Sequence, residues 1–214
     1  MCEKFYFEYG KKETDWLSGR DEKLGRVIAE IGYIEREVHP DLFESLIRNI
    51  VGQQISGKAR DTVCARLCER FSPLTPEALA SAAAEDIQSC GTSMRKAGYI
   101  KGAAEAVARG ELDLERLHAL SDDEVRAALS KLRGIGMWTA EMLMIFSMGR
   151  PDILSRGDLA IIRGMRMIYG HLTVTKEIFE GLRKIYSPYS TTASLYIWAV
   201  AGGACPHLKD PAAK

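Results

Sequence analysis

Apolar residues at helical spacing run through nearly the whole chain, and this pattern restricts the fold more than any other feature. Sets such as Leu24, Val27, Ile28 and Ile31 recur at intervals of three and four residues and stop at Gly, Pro or Ser. Only residues 5–9 have the composition of a strand, and that stretch is short. The sequence therefore predicts a compact all-α fold made of many short helices.

The composition is that of a globular protein. The chain has 214 residues, 46% of them hydrophobic and 27% charged, enough to bury a core as one domain or two small lobes. Its 29 basic and 29 acidic residues cancel, which excludes a polycation that coats nucleic acid along its whole length. No apolar run approaches the roughly 18 residues that span a bilayer, and the N-terminus does not resemble a secretory signal. We expect a cytoplasmic protein without a membrane partner.

Two closely spaced glycines mark the most informative stretch, residues 132–140. A helix is predicted to end near Leu132, Gly134 and Gly136 follow, and a new helix begins at once. Both glycines permit backbone conformations that a side chain would forbid, and they let another backbone approach closely. The second helix begins with unpaired N–H groups and the positive end of its dipole, which can bind a phosphate oxygen without reading a base. A plain helix–turn–helix with a glycine cap is the alternative.

The full string Leu-Arg-Gly-Ile-Gly-Met-Trp-Thr-Ala resembles the helix–hairpin–helix element of DNA repair glycosylases. A Gly/Pro-containing loop at 149–157 follows it. Asp158 comes about twenty residues after the hairpin, where endonuclease III-like glycosylases carry an essential aspartate. Upstream, residues 50–59 and the Gly-x-Ser-x-x-Lys-Ala-x-x-Ile motif at 91–100 resemble the 3-methyladenine DNA glycosylase II branch. These matches run from about residue 15 to 200 in the order expected for that family.

The resemblance implies one glycosylase module over residues 1–214, built as two helical lobes around a cleft. Residues 40–150 would form the lobe that carries the hairpin. Residues 15–39 together with 151–214 would form the other lobe. Asp158 would then lie at the junction and face the pocket.

Asp158 precedes an apolar helical stripe, where an aspartate is most often a helix N-cap. The cap and a catalytic role are compatible, because N–H bonds and the helix dipole favour an ionised carboxylate. By resemblance, Asp158 would stabilise the oxocarbenium-like charge at C1′ and position or deprotonate the attacking water. No second acid is predicted for the leaving group, since Asp152 and Glu141 are interpreted as surface and helix-face residues. A cationic alkylated purine needs none, because it leaves as a neutral base.

Trp138 distinguishes two mechanisms. In bifunctional relatives a lysine at this place after the hairpin forms a Schiff base and cuts the strand, and Trp138 supplies no such nucleophile. In the alkylbase branch this tryptophan lines the base pocket, where its indole attracts a cationic purine, although a core position is the alternative. The resemblance adds Tyr189, Gln53 and Met142 to the base pocket, and core packing is equally consistent with Met142.

The resemblance also assigns residues that contact DNA. Gln54 or Ile55 would fill the gap left by the flipped nucleotide. The hairpin backbone and nearby cations would contact phosphates. The residues predicted for this contact are Gly134, Gly136, Thr139, Arg133 and Lys96.

No cofactor is expected to be required. The resemblance implies a monovalent cation, Na+ or K+, held by the hairpin carbonyls of Ser130, Leu132 and Ile135. Some relatives bind an iron–sulfur cluster through four spaced cysteines near the C-terminus. Such a cluster is not expected here, because Cys205 is the only cysteine in the tail.

These observations predict a monofunctional DNA glycosylase, active as a monomer, that hydrolyses the N-glycosidic bond of 3-methyladenine-type purines in damaged double-stranded DNA during base excision repair. Three alternatives remain: a bifunctional oxidised-base glycosylase/lyase, a non-catalytic DNA-binding module with the same hairpin, and a helical protein-interaction domain. The sequence leaves open the preferred lesion among alkylated, etheno and deaminated purines.

Overall fold

The computed structural model describes residues 4–213, and the regular secondary structure over that range is almost entirely helical. Its two strands, β1 (Phe5–Tyr6) and β2 (Glu37–Val38), pair in antiparallel fashion. The strand predicted over residues 5–9 is therefore only two residues long. β2 was not predicted, because two residues carry no periodic signal. No helix in the described range is long and apolar enough to cross a membrane.

The helices account for the rest of the regular structure and agree with the predicted all-α class. In chain order they are α1 (Lys11–Arg20), α2 (Glu22–Ile31), α3 (Leu42–Gly52), α4 (Gly57–Arg70), α5 (Pro76–Ser81), α6 (Ala84–Ser89), α7 (Met94–Ala108), α8 (Leu114–Leu117), α9 (Asp122–Leu129), α10 (Met137–Phe146), α11 (Leu159–Tyr169), α12 (Lys176–Tyr186) and α13 (Ser190–Ala201).

The chain divides into two compact units, with breaks after Val38 and after Met148. The first unit contains β1, β2, α1, α2 and α11–α13. It includes residues before position 15, where the predicted lobe begins. The second unit, His39–Met148, contains α3–α10 and therefore the whole hairpin.

The first unit is built around α13, which is buried over most of its length. Its second half is almost wholly apolar, and its first half buries small hydroxyl side chains. α11 packs against it at Gly164. A Cβ at that position would lie 2.3 Å from the carbonyl oxygen of Ile197, so only glycine permits the approach. Buried residues of α2 and α12, including Leu24 and Phe179, complete this core.

A buried hydroxyl cluster ties three helices of the first unit together. The Tyr169 hydroxyl donates to Asp21 Oδ2 at 2.7 Å and lies 2.5 Å from the Tyr186 hydroxyl. Burial raises the pKa of both tyrosines, so both stay protonated at physiological pH. Asp21 also caps α2 by accepting the Leu24 N–H at 2.9 Å.

The second unit packs α3, α7, α9 and α10 around buried aliphatic residues such as Leu46, Ile100 and Leu143. α9 begins with the predicted capping box: Ser121 accepts from the Glu124 N–H, and Glu124 accepts from the Ser121 N–H. This prediction is confirmed.

Candidate functional site

The hairpin turn spans the seven residues between α9 and α10. α9 ends at Leu129, three residues earlier than predicted, and Leu132 lies in the turn. Inside the turn the Ile135 N–H donates to the Leu132 carbonyl at 3.1 Å. α10 then starts directly after Gly136, as predicted, with the Ala140 N–H donating to the Gly136 carbonyl at 3.0 Å.

The fold requires a glycine at only one of the two hairpin positions. Gly134 has a φ of 88°, and a Cβ there would lie 2.3 Å from the Tyr99 ring, so the fold itself demands glycine. Gly136 has an ordinary φ of −90°, and a Cβ there would meet nothing within 4 Å. Gly136 therefore does not use the conformational freedom that glycine permits, and instead leaves open space at the start of α10.

The start of α10 carries no anion of its own. Among the helices of eight or more residues within 4–213, seven begin with an Asp, Ser or Thr side-chain cap. α1 has Glu13 in its first turn, and the Ser190 N–H of α13 is bound to Asp152. α10 has neither a side-chain cap nor an acid in its first turn. Its N-terminal N–H groups and positive dipole end are thus suited to an external anion.

The predicted pocket residues on α10 differ in exposure. Trp138 is 44% exposed, which excludes the alternative that it is a core residue. Met142 is only 6% exposed, and Thr139 is also buried. Glu141, interpreted from sequence as a helix-face residue, is buried and pairs with Arg126 of α9, with Nε 3.4 Å from Oε1. That ion pair joins the two helices of the hairpin.

The α3–α4 loop contacts the hairpin through Gln53. The side-chain Nε2 of Gln53 donates to the Gly134 carbonyl at 2.7 Å, a contact that the predicted place in the base pocket did not anticipate. Gln54 and Ile55 are exposed, and Gln54 has a φ of 57°.

Lys96, predicted to contact a phosphate, is already bound within the second unit. Its Nζ donates to the carbonyls of Val51 at 2.8 Å and Gln53 at 2.5 Å. Arg133, the other predicted cation, is exposed in the hairpin turn.

Asp158 caps α11 as predicted. Its Oδ1 accepts the N–H groups of Ala160 at 2.8 Å and Ile161 at 3.0 Å. The carboxylate is 8% exposed, and the adjacent Leu159 is 85% exposed. A buried carboxylate is therefore held in one orientation by two backbone donors at the positive end of α11.

Tyr189 lies at the start of α13 in a tightly connected segment. Its ring is edge-to-face with the ring of Trp16, at 5.9 Å and 89°. Trp16 Nε1 donates to the Ser187 carbonyl at 3.1 Å. Asp152 is not the surface residue expected from sequence: its carboxylate accepts from the Ser187 hydroxyl at 2.7 Å and from the Ser190 hydroxyl at 2.5 Å.

Sequence reasoning missed Trp16 and Tyr99. Both act through long-range contacts, Trp16 with Tyr189 and Tyr99 with Gly134. A signal for Trp16 was present, because Lys12, Trp16 and Arg20 share one face of α1 at intervals of four residues. The Arg20 guanidinium lies 3.9 Å from the Trp16 ring centroid.

A cavity of about 330 Å³ lies in the second unit, beside the beginning of the hairpin turn. Its lining includes Tyr99, Leu112 and Lys131 but none of Trp138, Met142 or Gln53. This cavity is therefore distinct from the predicted base pocket.

A protein-family model and a known relative both match this chain over most of its length. The family model described as HhH-GPD superfamily base excision DNA repair protein matches residues 47–188. The chain is 33% identical to DNA-3-methyladenine glycosylase 1 of Schizosaccharomyces pombe over 194 residues, which covers 85% of this chain and 83% of that protein.

Solved structures agree over nearly the whole chain. DNA-3-methyladenine glycosidase from Bacillus halodurans gives a TM-score of 0.85 at 34% identity and covers 95% of both chains. The Schizosaccharomyces pombe 3-methyladenine DNA glycosylase in complex with abasic DNA gives a TM-score of 0.75 at 30% identity, covering 90% of this chain and 97% of that one. The predicted fold class and family resemblance are confirmed. The chain belongs to the HhH-GPD superfamily of base excision DNA repair proteins.

Proposed function

We propose that the protein is a monofunctional DNA glycosylase that releases alkylated purines of the 3-methyladenine type from damaged double-stranded DNA. It would act as a monomer in the cytoplasm, at the nucleoid, in base excision repair. The observation that carries this proposal is Asp158, a buried carboxylate fixed by two backbone N–H groups at the start of α11. The similarity to DNA-3-methyladenine glycosylases over most of the chain supports it.

The proposed reaction is hydrolysis at C1′ of the deoxyribose. The bond between C1′ and the purine nitrogen breaks, and its electron pair leaves with the base. A cationic N-alkylated purine departs as a neutral molecule, so no acid has to protonate it. Asp158 stabilises the positive charge that develops at C1′ and orients the water whose oxygen forms the new bond. The proton lost by that water passes to the carboxylate or to solvent.

Asp158 is suited to this role because the groups that hold its carboxylate are backbone N–H groups and not flexible side chains. Oδ1 is held by the Ala160 and Ile161 N–H groups, so the carboxylate needs little reorganisation as charge develops at C1′. Two acids near Asp158 in sequence, one part-buried and one buried, are engaged in other contacts. Asp152 binds Ser187 and Ser190, and Glu141 pairs with Arg126. Neither is assigned a proton-transfer role.

Trp138 favours a monofunctional enzyme with a preference for cationic bases. Its exposed indole follows the hairpin directly and can stack on an extruded purine. An indole face attracts a cation by about 0.5–2 kcal/mol, which a neutral purine does not gain. Trp138 has no amine to form a Schiff base, so strand cleavage by that route is not part of the proposal. Tyr189 and Met142 are proposed as further pocket residues.

The hairpin is proposed to hold one phosphate of the duplex. The anion-free start of α10, next to the open space at Gly136, supplies backbone donors. Arg133 adds an exposed cation in the preceding turn. Such contacts fix the register of the protein on DNA without reading sequence.

A monovalent cation in the hairpin turn is also proposed. The donor set of Ser130, Leu132 and Ile135 carbonyls is neutral, which suits Na+ or K+ better than divalent ions that prefer carboxylates. Within the turn, the Leu132 carbonyl accepts the Ile135 N–H and the Gly134 carbonyl accepts from Gln53. A cation held there would supply positive charge next to the proposed phosphate. Within residues 4–213, no group of three His, Cys, Asp or Glu side chains is arranged to hold a metal.

The proposal is tested by measuring base release from a panel of duplexes, each with one defined lesion. We expect release of 3-methyl- and 7-methylpurines and no strand cleavage beyond that of an abasic-site duplex incubated under the same conditions without enzyme. Borohydride is added in a parallel reaction to trap any Schiff base.

Three outcomes would contradict the proposal. A covalent adduct in the borohydride reaction would indicate a bifunctional enzyme. Duplex binding without release of any base would indicate a non-catalytic DNA-binding module. Absence of duplex affinity even at low salt would favour a protein-interaction domain.

A further inference from the structure

The loop between α3 and α4 is held mainly by contacts from outside the loop. Its own backbone hydrogen bonds, Gln53 N–H to Ile50 O and Ile55 N–H to Gly52 O, are both long at 3.4 Å. Gln54 has a φ of 57°, in the left-handed region that residues with a Cβ rarely adopt. Such a conformation persists only where the surrounding structure fixes it.

Lys96, in the first turn of α7, provides the strongest of these outside contacts. Its ammonium donates to the Val51 carbonyl at 2.8 Å and to the Gln53 carbonyl at 2.5 Å. These carbonyls lie at the C-terminal end of α3, where helical partners are lacking and the helix dipole is negative. A cation here therefore fixes both the end of α3 and the first residue of the loop. Desolvation by burial, together with the nearby Arg95, lowers the pKa of Lys96.

The same loop is joined to the hairpin turn at Gly134. Gln53 Nε2 donates to the Gly134 carbonyl at 2.7 Å. Tyr99, three residues after Lys96 on α7, lies against Gly134 so closely that a Cβ would fall 2.3 Å from its ring. Two residues of one helical face thus hold the loop and the hairpin turn together within the second unit.

We propose that Lys96 is a positioning residue for the insertion of a loop side chain into the DNA duplex. It acts by holding the α3–α4 loop in place and not by contact with DNA. This inference rests on the proposed function. Gln54 or Ile55 must oppose base stacking when it enters the duplex, so a loosely held loop would be pushed aside. Through Lys96, Gln53 and Tyr99, the inserted side chain keeps a fixed distance from the phosphate bound at α10. When the phosphate is bound, the inserted side chain then always enters the duplex at the same position relative to that phosphate.

This role differs in its consequences from a phosphate contact by Lys96. A phosphate contact would weaken binding to damaged and undamaged duplexes alike, and its loss would lower the salt dependence of binding by about one unit of slope. A positioning residue leaves binding to undamaged duplex and its salt slope unchanged. Its loss weakens only complexes in which a side chain occupies a gap in the strand.

The first test uses the free protein. Lys96→Met removes the donors and keeps an unbranched side chain, and Arg95→Met removes the neighbouring exposed cation as a matched control. We expect amide hydrogen exchange to accelerate at residues 53–55 and at 134–136 together in Lys96→Met, and at neither segment in Arg95→Met. Unchanged exchange in Lys96→Met would overturn the proposal.

The second test uses two duplexes, one undamaged and one with a tetrahydrofuran abasic analogue beside 2-aminopurine. For Lys96→Met we expect at least about a tenfold loss of affinity for the abasic duplex, the scale of one or two charge-assisted hydrogen bonds. The rise in 2-aminopurine fluorescence on binding should fall in parallel. Affinity of Lys96→Met for undamaged duplex and its salt slope should match those of the wild type. Equal losses on both duplexes would overturn the proposal and restore the phosphate contact.

Gln53→Met provides a second variant in case Lys96→Met does not fold. It removes only the bond to Gly134, and we expect the same selective loss with a smaller change in exchange at residues 53–55. Failure of the proposed function is recognised separately, because it shows as no base release by the wild-type protein. The exchange measurement needs neither DNA nor catalysis, so it reports on Lys96 in either case.

Discussion

The starts of α10 and α11 use the same helix electrostatics in opposite ways. The N-cap of α10 is Gly136, with no side-chain cap, no acid in the first turn and open space where a Cβ would stand. The N-cap of α11 is Asp158, whose carboxylate occupies the position that an external anion would take. One helix end is left available to a ligand, and the other holds an anion that belongs to the protein.

The difference shows that one residue at the N-cap decides what a helix start can do. A glycine cap exposes backbone donors for a phosphate and gives up the stability of a side-chain cap. An aspartate cap stabilises its helix and at the same time presents a fixed negative charge to developing positive charge. Substitutions that add or remove the charge at each N-cap therefore affect DNA binding and base release separately.

The largest expected effect comes from neutralising the α11 cap. Asp158→Asn keeps an N-cap of the same size but removes the charge, so we expect single-turnover base release to fall by about 10³-fold or more. Affinity for undamaged duplex should change little. Asp41→Asn is the matched control, because Asp41 caps α3 by accepting the Glu44 N–H at 2.8 Å and has no assigned role in the chemistry. Normal excision by Asp158→Asn would contradict the mechanism.

The next largest effect comes from giving α10 the kind of cap that α11 has. Gly136→Asp places a carboxylate where the phosphate is proposed to bind, and we expect duplex affinity to fall by about 10²-fold through like-charge repulsion. Gly136→Asn adds a side chain of the same shape without the charge, so its loss should be clearly smaller. Thermal unfolding should show both variants within about 0.5 kcal/mol of the wild type or more stable. Equal affinities for the two variants would argue against an anion site at α10.

A smaller effect is expected from Trp138, the second residue of α10. Trp138→Leu removes the indole face and so the attraction to a cationic base. We expect excision of 7-methylguanine to fall by about tenfold more than excision of neutral hypoxanthine. Competition between the two lesions in one reaction measures this ratio directly. An unchanged ratio would show that Trp138 does not select for charge.

The smallest expected effect concerns Asp210, a carboxylate beyond the other end of α11. Arg166 donates to Asp210 from Nε at 2.8 Å and from a terminal nitrogen at 2.5 Å, and this pairing lowers the pKa of Asp210 to about 2. A depressed pKa stabilises the fold above the unfolded value near 4, and that contribution is lost as the pH falls toward 2. Asp210→Asn should therefore lower the free energy of unfolding by about 1 kcal/mol at pH 7.

Denaturant unfolding at pH 7 and near pH 2 measures that difference. The wild type and Asp210→Asn should converge at the acid end, while base release at neutral pH is unchanged. A constant gap at both pH values would show that the carboxylate contributes through packing and not through its charge.

The sequence predicted the elements whose signals are local. The capping box of Ser121 and Glu124, the N-cap of Asp158 and the start of α10 after Gly136 each depend on a few neighbouring residues, and the structure has all three. The roles of Gln53 and Lys96 were less predictable, because their partners lie 81, 45 and 43 residues away in the chain. A glutamine or lysine gives the same local pattern whether it points to solvent, DNA or a distant carbonyl.

Glycine illustrates the same limit in a more specific way. The spacing of Gly134 and Gly136 indicated a turn, but it did not indicate that only Gly134 needs a positive φ. Nor did it indicate that the Tyr99 ring, which packing brings onto Gly134 from another helix, leaves no room for a Cβ there. The residues next to a glycine in sequence do not indicate which distant residue packs against it.

The contact of Gly164 with α13 has a consequence for how substitutions would be tolerated. Any larger residue would push against the Ile197 carbonyl and shift α11 along or away from its neighbour. Asp158 precedes that contact by six residues, about 9 Å along the helix axis, so the carboxylate would move with it. A saturation screen scored by survival under alkylating stress would therefore rank Gly164 among the least replaceable positions, although its closest neighbour is protein backbone.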